Sequence, residues 1–274
     1  MHKIEKGLLW VVKIGLCIIP FLPLYISSSM LFPFITGKNF AFRIIVEFIF
    51  ALWVGLAVAQ PRFRPKLTPL LKVVTIFIGV VFFADVFSLN PYRALFSNYE
   101  RMEGFMMLGH LYLYFLMLVS VFKTRRDWLV FFHASLVASV AVSWVGLMQR
   151  LGYRVSTQGG FRVDSTIGNP TYLATYLTFH LWLLVMLMKD FWKKWWLIAV
   201  YGAVFLFELM ILYFTATRGA VIALTLVTML LAAAVVVLWP RLFRQNPSGR
   251  KFAGLAVALI IVVPMLFLLA RSTT

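Results

Sequence analysis

Residues 195–213 read WWLIAVYGAVFLFELMILY, a run whose one charged side chain is Glu208. A helix needs about 20 such residues, rising about 1.5 Å each, to cross the hydrocarbon of a bilayer. Working outward from this run, the same window finds further candidates at 8–31, 40–59, 70–89, 104–122, 128–149, 170–188, 219–239 and 253–270. Hydrophobic residues make up 62% of the 274 and charged residues 13%, against about 45–50% and about 25% in soluble domains. That balance excludes a soluble domain, a disordered chain and a disulfide scaffold. The fold expected is all-α: a polytopic transmembrane helical bundle of nine spans, forming one transmembrane domain over residues 1–274. Pro20 and Pro23 should bend the first helix and Pro264 the ninth. Cys17, the single cysteine, lies within the first span and reads as a small buried hydrophobe. The opening MHKIEK and its apolar run lack a small-x-small cleavage site, so they read as an uncleaved first helix.

The chain carries 26 Lys+Arg against 9 Asp+Glu, a net charge of +17. These basic residues sit in short clusters between spans, which membrane topology explains without a nucleic-acid partner. With the N-terminus inside, 16 of them fall on the cytoplasmic side and 9 outside, which favours N-in and C-out. The outside set is Lys38, Arg43, Arg93, Arg101, Arg150, Arg154, Arg162, Arg218 and Arg271. Arginine dominates it, and the guanidinium is a planar, permanently charged fork suited to phosphate and carboxylate. As a set these residues point to an anionic ligand at the outer face. Singly, each reads equally well as an interfacial anchor or a partner of Glu100, Glu103 or Asp164. Two outside segments are longer than the rest, NPYRALFSNYERME (90–103) and RLGYRVSTQGGFRVDSTIGN (150–169). Function concentrates on such loops.

Glu47, Asp85 and Glu208 fall within spans, in the outer half of the expected topology. Charges at membrane depth are costly and face the bundle interior. They form either a polar chamber open to the outer leaflet, with His110 the histidine nearest that face, or three separate structural ion pairs. Arg43 and Glu47, four apart on one helical face, can pair directly. His133 and His180 sit on apolar helices, where a hydrogen-bonded structural role is usual. No HExxH, Cys/His ligand cluster, Asp-rich pair or phosphate-binding glycine loop is present. No metal, no cofactor and no nucleotide-driven pumping is therefore expected.

Three stretches taken together resemble the O-antigen ligase/polymerase (Wzy-type) family of polytopic membrane glycan transferases. They are SNYERMEG (97–104), FRVDSTIGNPTYLA (161–174) and TATRGA (215–220), and the resemblance covers most of the chain in order and topology. It implies a glycan donor carried on undecaprenyl diphosphate, at the outer face of the bacterial cytoplasmic (inner) membrane. The acceptor is a glycan, lipid or protein. The diphosphate is the leaving group, so cations must hold it and take up its developing charge. By position in the family motifs these are Arg162 and Arg218, with Gly219 letting a phosphate approach and Arg101 a lesser substrate contact. Asn169-Pro170 starts a helix, with proline in its first turn.

Family members continue into a long outside segment with a histidine that activates the acceptor hydroxyl. The resemblance therefore implies the N-terminal portion of a longer transferase, with its general base beyond residue 274. Residues 1–274 alone are expected to bind donor lipid without transferring glycan. The competing expectation is a secondary transporter or lipid translocator for an anionic solute, using the same arginines and the acids within the spans. A binding-only scaffold is the third. No internal repeat is found, which weighs against an inverted-repeat transporter.

Overall fold

The computed structural model describes residues 3–98, 103–156 and 162–243. Among these the chain is entirely helical: α1 (Lys3–Ile18), α2 (Thr36–Ala59), α3 (Pro69–Val86), α4 (Pro91–Phe96), α5 (Phe105–Val121), α6 (Arg125–Arg150), α7 (Pro170–Asp190), α8 (Trp195–Phe214) and α9 (Arg218–Phe243). Six helices are long and apolar enough to cross a membrane: Lys3–Leu24, α2, α3, α6, α7 and α8. α5 and the stretch Arg218–Leu231 of α9 are shorter apolar helices. Large apolar side chains face outward, such as Ile76, Phe77, Val80 and Phe83 on α3. Such a surface is stable in lipid rather than water, and the chain is a helical membrane protein. The ninth expected span, 253–270, lies outside the described residues.

The chain divides into two compact units, Met1–Val142 and Ser143–Thr274. In the first, α1, α2 and α5 share a core of Val12, Leu16, Val46, Ile49, Trp53, Met117 and Val121. α1 stops at Ile18 and continues as a tighter 3₁₀ turn, Ile19–Leu24, which holds Pro20 and Pro23. Proline lacks the N–H that an α-helical ladder needs, so the expected bend becomes a change of helix type.

Lys13, the one basic residue expected inside the first span, pairs with Asp127 at the start of α6. Asp127 is held from both sides. Its Oδ2 accepts from the backbone N–H groups of Lys123 and Thr124, and its own N–H donates to Thr124 Oγ1. That reciprocal arrangement is a capping box with aspartate in place of glutamate. One carboxylate thus starts α6 and ties it to α1. At the same end, desolvation, aided by the like charge of Lys66, lowers the Lys123 ammonium from its ordinary pKa. The basic segments that follow α2 and α5 therefore share one end of this unit.

The segment 90–103, read as a loop, contains α4. Asn90 caps this helix through its side chain, which accepts from Arg93 N–H, and Pro91 occupies the first turn. Two turns suffice because α4 packs on α3 and on the start of α5. Gly104 is fixed by that packing. A Cβ there would lie 2.5 Å from Leu95 O and 2.6 Å from Ala94 O, both backbone atoms.

In the second unit α7 packs on α8, burying Leu173, Leu177, Leu181 and Leu184 at helical spacing. Asn169 starts α7 as expected. Its Oδ1 accepts from Thr171 N–H at 2.8 Å and Tyr172 N–H at 3.4 Å, with Pro170 next to it.

Candidate functional site

The turn between α8 and α9 comprises only Thr215, Ala216 and Thr217. It is tight because Ala216 adopts a left-handed conformation, φ 50°. Thr215 is fully buried, and its Oγ1 donates back to Leu212 O at 2.6 Å. Against this turn lies the segment from Arg162. Val163 N–H donates to Phe214 O at 3.1 Å. The Arg162 guanidinium donates from Nε to Thr215 O at 3.0 Å and from a terminal nitrogen to Thr217 Oγ1 at 3.3 Å. The fold thus brings Arg162 to the residue that precedes Arg218.

Among the described residues both partners of Arg162 are neutral oxygens, so no carboxylate cancels its charge. Among the described residues, two of its five N–H groups are used. Arg218 is exposed at the first turn of α9. The first intrahelical bond there runs from Val221 N–H to Thr217 O, so the preceding N–H groups are open to an anion. Arg150, at the end of α6, lies over the Phe214 ring with its guanidinium carbon 4.9 Å from the centroid. Gly219 faces open space, with nothing within 4 Å of where a Cβ would stand. Among the described residues, packing does not require glycine there.

Gln149 organises the other side of the segment, and the sequence reading missed it. Its Nε2 donates to Asp164 Oδ1 at 2.7 Å, and its Oε1 accepts from Ser165 N–H at 2.7 Å and Asp164 N–H at 3.3 Å. Asp164 is fully buried and Ser165 nearly so. Ser165 is left-handed, φ 51°, and the Gln149 amide holds it there. A polar residue one position before the end of an apolar helix was the available signal. Asp164, expected as a possible partner of the arginines, is bound by the neutral Gln149 amide.

The remaining candidates belong to both units. Arg101 lies outside the described residues. Glu47 and His110 meet in the first unit, His110 Nε2 lying 2.8 Å from Glu47 Oε1. This contact ties Glu47 to α5. Arg43, four residues earlier on α2, directs its Nε at Asn39 O, at 3.4 Å, and lies over the Phe40 ring. Asp85 is half-buried near the end of α3. Glu208 is fully buried on α8, in the second unit, where Tyr176 is half-buried on α7. Tyr176 in turn stacks on His180, with ring centroids 4.3 Å apart. The described residues contain no group of three or more His, Cys, Asp or Glu side chains placed to hold a metal ion. Comparisons of this chain with protein-family models, with curated proteins and with solved structures gave no match.

Proposed function

We propose that this chain binds the diphosphate of an undecaprenyl-linked glycan at the outer face of the bacterial cytoplasmic membrane. In this reading it is the donor-binding portion of an O-antigen ligase/polymerase-type glycan transferase. The observation that carries the proposal is the placement of Arg162, held by neutral oxygens, beside Arg218 at an open helix start. Two of the three family-like stretches supply these two arginines. A second feature agrees. The non-glycine residues with left-handed φ among those described are Ser97, Ser165 and Ala216, one in each family-like stretch. Such conformations cost about 1–3 kcal/mol and cluster where function demands them.

The chemistry follows from charge. A glycosyl transfer from a lipid diphosphate leaves negative charge on the departing phosphate. Fixed cations and helix N–H groups stabilise that charge without reorganising. Arg162 supplies a preset fork and Arg218 a mobile one. Acceptor activation needs a separate base. The test is binding of an undecaprenyl-diphosphate analogue to the purified chain, with Arg162→Ala and Arg218→Ala as the two variants. Unchanged affinity in both removes the reading. A transporter of an anionic solute is the second reading, favoured by the contact between Glu47 and His110 within apolar helices. Proton-dependent uptake into vesicles by the purified chain, without glycan transfer, would support it instead.

The proposed topology is nine spans, N-in and C-out. It places the basic end marked by Lys66 and Lys123 in the cytoplasm and the corner of Arg162 and Arg218 outside. In a Cys17→Ser background, single cysteines at Ser97 and Arg154 should react with an impermeant maleimide added to intact cells. Cysteines at Arg125 and Lys194 should react only after permeabilisation. The reverse pattern would overturn the orientation and the outer-face site together.

A further inference from the structure

His110 sits two acceptors deep. Its Nδ1 lies 2.6 Å from Met106 O, one turn back on α5, and its Nε2 lies 2.8 Å from Glu47 Oε1 on α2. A backbone carbonyl can only accept, so Nδ1 must carry hydrogen. An ionised carboxylate can also only accept, so Nε2 must then carry hydrogen too. The alternative is a protonated Glu47 donating to a bare Nε2. Both arrangements contain one proton more than a neutral imidazole beside a carboxylate. Without it, two lone-pair-bearing atoms would face each other, at 2.8 Å across Nε2 and Glu47 or at 2.6 Å across Nδ1 and Met106 O, depending on the tautomer.

We propose that Glu47 and His110 form a proton-binding site, and that the bound proton closes the contact between α2 and α5. The site is asymmetric: the His110 side chain is 8% exposed and Glu47 62% exposed, so the carboxylate lies nearer the surface of the helices. Of the other charges on the packed elements, Glu5 accepts from Gln60, and Lys13 is bound to Asp127. The rest are Lys3 and Lys6 on α1, Lys38 and Arg43 on α2, Arg62 just after it, Lys72 and Asp85 on α3, and Arg93 on α4. Asp85 belongs to the part of α3 that meets the start of α5, where Phe82 packs on Phe105 with ring centroids 5.0 Å apart. Tyr112 and Tyr114 of α5 bond Thr75 and Leu16 O respectively. Losing the proton turns an attraction into a repulsion and frees Glu47 to swing outward. The inference is independent of the donor-lipid reading.

The experiment observes the proton in the unaltered chain. Histidine ring-nitrogen NMR of the detergent-solubilised protein at neutral pH, with His110 assigned through His110→Gln, reports both nitrogens. Carboxyl infrared spectra, differenced against Glu47→Gln, report the acid. The expected result is either a doubly protonated His110 ring or a protonated Glu47 carboxyl. In Glu47→Gln, the amide can donate to Nε2, so the variant keeps the contact while His110 loses its second N–H signal or stays singly protonated. A singly protonated His110 beside an ionised Glu47 in the unaltered chain would overturn the proposal.

Discussion

Replacing Arg162 by alanine should weaken binding of an undecaprenyl-diphosphate analogue by about 10- to 100-fold. Hydrogen bonds to charged groups are worth about 1.5–3 kcal/mol, and about 1.4 kcal/mol is a factor of ten. The guanidinium is preset by Thr215 O and Thr217 Oγ1, so little side-chain freedom remains to be lost when an anion arrives. Lysine cannot satisfy both oxygens and still present a fork, so Arg162→Lys should recover only a fraction of the affinity. Thr217→Val removes one of the two bonds that hold the guanidinium and should fall between the parent and Arg162→Ala. The same bonds hold the turn, so stability is measured alongside. Arg162→Gln separates the roles, since its amide can still donate to Thr215 O without carrying charge. Parent-like affinity in that variant would show that the charge is unused.

The second large effect concerns stability. Asp127→Ala should cost about 3 kcal/mol. It strips a helix start of its cap, worth about 1 kcal/mol. It also leaves the Lys13 ammonium without its partner. Removing one member of a buried pair costs about 3–5 kcal/mol, against about 0–1 for an exposed pair. With side-chain exposures of 23% and 14%, Lys13 and Asp127 lie between those limits. Equilibrium unfolding in mixed micelles measures the difference. Adding Lys13→Met to the alanine variant should restore much of the loss, because the stranded charge is then gone. Equal stability of Asp127→Ala and the parent would mean that Lys13 reaches water unaided.

The helices were legible because lipid imposes one rule on all of them. Long apolar windows between charged breaks cannot be hidden by tertiary context. Asn169-Pro170 was legible for a similar reason, since cap and first-turn proline are local chemistry. The same device at Asn90-Pro91 was overlooked. α4 is only six residues long, and its stability comes from α3 and α5 rather than from its own sequence. The partner of Glu47 illustrates the limit. Sequence spacing exposes Arg43, four residues away, but not His110, which reaches Glu47 from another helix. Gln149 escaped likewise, because its role depends on the chain folding back fifteen residues later. At the candidate site, the identities of Arg162 and Arg218 could be read from their motifs, while the oxygens that hold Arg162 could not.

The Gln149 clamp has a consequence for how this molecule tolerates change. Its bonds to Asp164 and Ser165 bring together the two ends of the segment that lies between them. Joining those ends is the costly part of forming a loop, and each doubling of the enclosed length adds only about 0.6 kcal/mol. Insertions just after Val155 therefore leave the arginine corner in place, since they lengthen a circuit that is already closed. Evolution can vary the length between Gln149 and Asp164 without rebuilding the corner that holds Arg162.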